Sequence, residues 1–323
     1  MSKLELAKSY SGRDLETIFF RPIMTGPDAT ALGIRMMYNM PVPTTLNFWR
    51  RGADVLQKYA AGWEGGEASK KYQKTIALQK VKAEVGYSAE NYFNRVFELI
   101  TNRADVNLDD LSGTELEQAE TELFRQAIAE GIRVTMWLGN TQRTSGYNTF
   151  DGLLKRLTED MYTEEEMFSK QYTALATPAE AEKLLKELWD KAPSPLRSAK
   201  SQGELAYFVT SDVYNLYEEA LNSAQMESAF LAKQAGRDGL LYCGIPVIDL
   251  QLTDYTVDDL PGSFAILTDK RNLAMAVNTS DFPGTEVKMW YNPDLMENRQ
   301  RAIFMAGCDY LLPELVSMAV KSV

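Results

Sequence analysis

The spacing of apolar and polar residues changes along this chain. From Ser112 to Asn140 (SGTELEQAETELFRQAIAEGIRVTMWLGN) Leu116, Ala119, Leu123, Ala127, Gly131, Val134 and Leu138 recur every three or four residues. That spacing draws one stripe along a helix. Ser112 with Glu115, and Thr114 with Glu117, have the capping-box spacing, and Gly139-Asn140 ends the run. A helix of about 26 residues spans roughly 39 Å, long for a globular domain. Three positions of the stripe, Ala119, Ala127 and Gly131, are small. They leave room for another backbone to lie close along part of that stripe.

The N-terminal third has a different period. Residues 1–28 hold few periodic apolar positions and read as an extended arm, with one helical turn around Leu15 to Phe20. From Ala29 to Trp49 the pattern turns β-like, and Pro41 and Pro43 exclude a helix there. A glycine- and alanine-rich stretch follows, the expected tip of a loop. Tyr72–Val85 (YQKTIALQKVKAEV) then alternates as a strand. Residues 29–85 thus predict one long β-hairpin. A two-stranded hairpin is marginal in water, which points to support from a neighbouring subunit.

Ser88–Ile100 predicts a short helix before the long one. After Tyr147 the pattern is mixed. Thr177-Pro178 opens a helix with Ala181, Leu184, Leu185 and Leu188 on its apolar face. Leu205–Val209, Leu240–Leu252 (with a turn at Cys243–Pro246), Phe264–Leu267, Glu286–Tyr291 and Arg301–Met305 predict strands, and Asp212–Gln234 predicts one or two helices.

Composition narrows the chemistry. The 323 residues are 45% hydrophobic and 24% charged, the balance of a folded soluble protein. No apolar run reaches the 18 or so residues that span a bilayer, and the N-terminus lacks a signal-peptide core. No membrane association is expected, and assembly in the cytoplasm is. Histidine is absent. That removes the commonest general base and zinc ligand, and it lowers the expectation of hydrolytic or metal chemistry. Cys243 and Cys308 sit in apolar settings and are expected to be two buried free thiols.

The net charge of −11 argues against a dedicated nucleic-acid binder. Residues 1–90 nevertheless carry 13 Lys+Arg against 9 Asp+Glu, so the excess of acid lies entirely in the rest of the chain. A basic third and an acidic body are suited to attract one another between copies, although asymmetry alone is weak evidence.

No phosphate-binding glycine loop, GxSxG elbow or zinc cluster occurs. The acidic run Glu159–Glu166 lacks calcium-loop spacing and reads as solvated. Asp109-Asp110 and Asp258-Asp259 read as water-facing pairs rather than catalytic dyads. No catalytic, cofactor-binding or metal residue is assigned, and no cofactor is expected. The remaining candidates flank the hairpin tip: Trp49, Arg50, Arg51, Trp63, Lys70, Lys71 and Tyr72. Aromatic residues and arginine are enriched at protein interfaces, and these seven are the candidate intersubunit contacts.

The order of elements resembles the HK97-like major capsid proteins of tailed bacteriophages. YQKTIALQKVKAEVGYSAENY is similar to that family's returning hairpin strand and following helix, and 112–140 to its spine helix. FDGLLKRL resembles the entry to its axial domain, LYCGIPVIDL and SFAILTDKRNLAMAV the late axial strands, and VKMWYNPDLMENRQRAIFMAGCDYLLPEL the strands that return to the peripheral domain. The resemblance implies an α+β fold in five parts. They are an arm (1–28), an E-loop hairpin (29–86), a peripheral domain (87–145 and 285–323), its spine helix (112–140) and a mixed α/β axial domain (146–284).

It implies a structural, non-enzymatic protein of the virion. Copies would form hexamers and pentamers of an icosahedral shell around double-stranded DNA, with a separate scaffolding protein and a portal as partners. An encapsulin-like compartment and a carboxylate-dependent α/β enzyme are the alternatives. Some relatives join a hairpin lysine to a neighbour's asparagine. Lys70, Lys71, Lys74, Asn292 and Asn298 lie in the corresponding regions, where such pairs also arise by chance.

Overall fold

In a computed structural model the described residues are 26–40, 44–50, 70–88, 115–173, 175–223, 239–253, 255, 257–278 and 287–322. They form two large sheets, a separate two-stranded sheet and the helices packed on them.

The first sheet is built on one long strand, β12 (Glu297–Tyr310). Its N-terminal half pairs antiparallel with β11 (Lys288–Asn292) and with β4 (Gln79–Ser88). Its C-terminal end pairs with β10 (Leu273–Val277), which in turn carries β1 (Arg35–Met37) in parallel. Burial along β12 alternates at first and then becomes continuous from Ala306. One-sided alternation marks a sheet with a wet face, and continuous burial marks one covered on both faces.

The long helix α1 (Glu115–Leu138) lies on the covered face. Ile128 and Ile132 share a core with Val81, Ala302, Phe304 and Ala306. Towards its C-terminus α1 is buried all round: Val134, Met136, Trp137 and Leu138 are each 4% exposed or less. That end enters the second sheet's core, where the Trp137 ring lies 5.5 Å from Phe208 and 6.3 Å from Phe264.

The second sheet runs in the order β5 (Phe168–Tyr172), β13 (Val316–Lys321), β9 (Phe264–Asp269), β6 (Leu205–Val209), β8 (Ile245–Asp249) and β7 (Leu240–Tyr242). Alternate residues face opposite layers. Ala206, Phe208, Phe264 and Ile266 join Trp137 and α2 (Leu153–Asp160) on one side. Leu205, Tyr207, Val209 and Leu267 meet α3 (Pro178–Asp190) and α5 (Ser211–Ser223) on the other. Between these helices comes the short α4 (Ser194–Ser198). The Thr177 capping box and the apolar face Ala181, Leu184, Leu185 and Leu188 of α3 match the sequence pattern.

The third sheet pairs β2 (Thr44–Arg50) with β3 (Lys70–Ile76), Thr44 opposite Ile76 and Arg50 opposite Lys70. The expected single strand Tyr72–Val85 is two strands, because the chain leaves this ladder at Ala77-Leu78 and enters the first sheet as β4. Strong alternation conceals such a transfer, since both halves keep period two.

Three further expectations are corrected. The helix stripe is rotated: Ala127 is exposed, and a side chain at Gly131 would meet nothing within 4 Å. Both line an open groove of about 390 Å³ between α1 and β4. The close approaches lie elsewhere. A Cβ at Gly139 would sit 2.3 Å from the Phe150 carbonyl, and one at Gly307 would sit 2.1 Å from the Ala77 carbonyl. The small residue needed between α1 and its neighbours is therefore at the helix end, where the chain doubles back into α2. The final strand is also far longer than Arg301–Met305, since its polar N-terminal half pairs on both edges.

Cys243, finally, is exposed. It heads the two-residue β7–β8 turn, where Cys243 and Gly244 both have positive φ (51° and 77°). Those are type I′ turn angles, and the turn faces water despite its apolar neighbours. Residues 1–25 of the arm with the turn around Leu15, the hairpin tip with Arg51 and Trp63, residues 89–100 of the expected short helix, the Ser112 cap and Asp109-Asp110 lie outside the described residues, while Ser88, expected to open that helix, is the last residue of β4.

Candidate assembly surfaces

The base of the β2–β3 hairpin is fastened to the body by a buried charge. Asp309, near the end of β12, has a side chain 2% exposed. Lys74 of β3 lies 3.5 Å from its Oδ1, and Arg156 of α2 lies 3.3 Å from its Oδ2. The Lys74 ammonium also sits 4.3 Å over the Tyr310 ring, whose hydroxyl bonds the Asp160 carboxylate. One carboxylate thus joins the hairpin, α2 and β12. Burial holds the Asp309 carboxyl above the usual aspartate range, against the pull of Arg156 and Lys74. Removing one partner of a buried pair leaves an uncompensated charge, so the three groups act as a unit. Ile76 and Leu78 add an apolar seam with Met37, Ala274 and Ala276.

A second buried pair fastens α1 to the loop after β8. Arg133 donates to both carboxylate oxygens of Glu130 (2.8 and 2.6 Å) and to the Leu250 carbonyl (2.6 Å). The Tyr255 hydroxyl donates to Glu130 at 2.7 Å. Burial opposes ionisation of Glu130, but the Arg133 and Tyr255 bonds outweigh it and hold its carboxyl below the usual range.

Cys308 packs between α1 and α2, its thiol donating to the Asp151 carbonyl at 3.3 Å. Burial pushes that thiol up to about 12, so it stays protonated and inert at neutral pH.

The hairpin places Trp49 opposite Lys71, Arg50 opposite Lys70 and Phe48 opposite Tyr72 in its ladder. Five of the seven sequence candidates thus fall on one short ladder, while Arg51 and Trp63 lie beyond the described residues. Of the lysine–asparagine cross-link candidates, two are engaged within the chain and Asn292 is half-buried. Lys74 is held by Asp309 and Tyr310, and Asn298 is fully buried. Of the carboxylate pairs, Asp259 is not simply solvated. It accepts from Arg143 at 2.8 Å and from Asn140, tying α1's end to the loop before β9. The sequence reading missed Asp309, Arg156, Glu130 and Arg133. For Asp309 and Arg133 the signal was a charge inside an apolar run, as in FMAGCDYLL and AEGIRVTMW. Among the described residues no group of three or more metal-ligating side chains occurs, and no helix is long and apolar enough to cross a membrane.

No family model matches the chain, and no curated protein matches it in sequence. Solved structures do match, along nearly the whole length. The capsid of Myoviridae phage XM1 superposes with a TM-score of 0.55 at 14% identity, over 98% of this chain and 97% of that one. The capsid of an empty GTA particle gives 0.58 at 11%, over 94% and 100%. The chain has the HK97-like capsid fold. A structure from Gordonia phage Cozz gives 0.57 at 10%, over 99% of this chain and 92% of that one. At such identities the likeness is one of backbone course. In this chain the buried contacts that hold the fold include Asp309 and the Glu130–Arg133 pair.

Proposed function

We propose that this protein is the major capsid protein of a tailed phage or prophage. It assembles into hexamers and pentamers of an icosahedral shell that encloses double-stranded DNA, touched without sequence preference. A separate scaffolding protein and a portal complete the assembly, which takes place in the host cytoplasm. The observation that carries this reading is likeness to capsid structures over 98% and 94% of this chain and 97% and 100% of theirs.

Two features of the molecule support it. The β2–β3 ladder stands apart from both large sheets, and its outer end needs a neighbour. Buried fastenings tie the hairpin, α2 and β12 together and α1 to the loop after β8, as suits a subunit held as one frame.

In this reading residues 29–86 are the E-loop, 87–145 with 285–323 the peripheral domain, and 146–284 the axial domain. β10 and β13 are exchanged across that boundary, each pairing in the other region's sheet. Trp49, Arg50, Arg51, Trp63, Lys70, Lys71 and Tyr72 are the proposed intersubunit contacts of the hairpin.

Electron microscopy of particles from expressing cells tests the reading. Closed shells with this chain as their main protein are expected. A chain that stays monomeric in cells supplied with scaffold contradicts it, and shells filled with an enzyme instead of DNA move it to an encapsulin-like compartment.

A further inference from the structure

The junction at Asp309 brings two cations to one carboxylate. Oδ1 faces Lys74 at 3.5 Å and accepts the Tyr310 amide at 2.9 Å, while Oδ2 faces Arg156 at 3.3 Å. Both cation contacts are long for charge-assisted hydrogen bonds, and the Arg156 Nε is buried without a partner. Such a junction holds through charge more than through bonding. Its other described neighbours do not replace that charge. Ala274 of β10 stands opposite Asp309 in the sheet, and the next residue of that row is an exposed cation, Arg35 of β1. The carboxylates of Asp160 and Glu164 act on the Tyr310 phenol, and that of Asp151 on Cys308.

We propose that Asp309 is a proton-operated latch on the β2–β3 hairpin. Ionised, it holds Lys74 and with it the base of β3. Protonated, it releases Lys74 and lets the hairpin pivot on the joint Ala77-Leu78.

A protonated carboxyl presents a hydroxyl to groups that only donate, since neither an ammonium nor a guanidinium has an acceptor. It also leaves two cations facing each other across a neutral group, in a site almost closed to water. Lys74 is the partner free to leave. Arg156 sits on α2, whose Leu153, Leu154 and Leu157 are fixed in the core, whereas Lys74 belongs to a ladder apart from both large sheets. The joint suits a pivot. Only Ala77-Leu78 separates β3 from β4, and the Ala77 carbonyl rests on Gly307, where no side chain stands in its way.

The direction with pH follows from linkage. Burial holds the Asp309 carboxyl above the usual aspartate range, and Arg156 and Lys74 pull it down. The pull of Lys74 acts only while the hairpin is attached, so a proton binds the released arrangement more tightly. Attachment is therefore full near neutrality and is lost as pH falls, before ordinary surface aspartates titrate. Burial keeps the Tyr310 phenol and the Cys308 thiol high, so both retain their protons throughout.

Amide exchange of the full-length unassembled chain reads the latch. Protection in β3 is divided by protection in the β4–β12 ladder at the same pH, which cancels the general effect of pH on exchange. Between neutrality and about pH 5 this ratio is expected to fall about fivefold in the wild type. Asp309→Asn and Lys74→Met are expected to show that loss already at neutrality and no further change in acid. A wild-type ratio that does not move with pH overturns the latch. So does a Lys74→Met variant that keeps the wild-type response, since another group then titrates. Should Asp309→Asn misfold by circular dichroism, Lys74→Met decides alone, because it removes the charge and keeps an apolar stem. The test is independent of the shell reading: a chain that responds to pH but forms no particles overturns only the shell, and particles from a chain without the response overturn only the latch.

Discussion

Gly131 and Gly307 occupy opposite kinds of space. A side chain at Gly131 enters the open groove, and glycine inside a helix costs about 1 kcal/mol relative to alanine. Gly131→Ala is therefore expected to raise the stability of the unassembled chain by about 0.5–1 kcal/mol, and Gly131→Leu to leave it folded. At Gly307 the Ala77 carbonyl blocks any Cβ, and the backbone of Ala77-Leu78 cannot yield cheaply. Gly307→Ala is expected to cost about 1–3 kcal/mol. Denaturant unfolding of the two alanine variants reads both, and an equal effect contradicts the packing described.

Glu130 gives a test in pH. Its carboxyl is held low in the folded state, so its ion pair stabilises above the unfolded value and is lost as pH falls through the depressed one. Wild type should therefore exceed Glu130→Gln most near neutrality, by about 3–5 kcal/mol, with the gap closing in acid. A gap that does not change with pH removes the ion pair from the account. None of this was legible in sequence at the residue level. A glycine in a stripe says only that the residue is small, and a lone arginine in an apolar run does not name its partner.

Elements were legible wherever one physical signal dominated. The α3 helix had its cap, its N-terminal proline and a clean apolar face, and all three appear as expected. β6 and β9 had short apolar runs, and both are buried on both faces. The transfer from β3 to β4 was hidden because period two continues through it, and the rotation of the α1 stripe because small residues satisfy two faces equally. The exposure of Cys243 came from turn geometry rather than hydropathy.

The hairpin is the element whose attachment can be measured. Lys74 joins it to Asp309 and Tyr310. Lys74→Met is expected to weaken that attachment by about 1 kcal/mol, a roughly fivefold faster amide exchange in β3. Exchange in the β4–β12 ladder should be unchanged. Equal exchange in β3 of both proteins contradicts the fastening.

At the scale of the whole molecule the design is two sheets joined through one strand and one helix. β12 serves the first sheet along its length and delivers Asp309 and Tyr310 to the junction, while α1 begins over the first sheet and ends in the second sheet's core. Motion at the hairpin, α2 or the first sheet therefore reaches the other two through a few buried contacts. The fold class was readable from the order of elements, although no single motif carried it. The surfaces were less so, because strand register decides which charges share a face.

The measurement that tests the central claim most directly is cryo-electron microscopy of particles purified from cells expressing this chain with its scaffold. The account predicts closed icosahedral shells of hexamers and pentamers, each subunit showing the two sheets joined by β12 and α1. A chain recovered only as a monomer, or particles whose subunits have another fold, would contradict it.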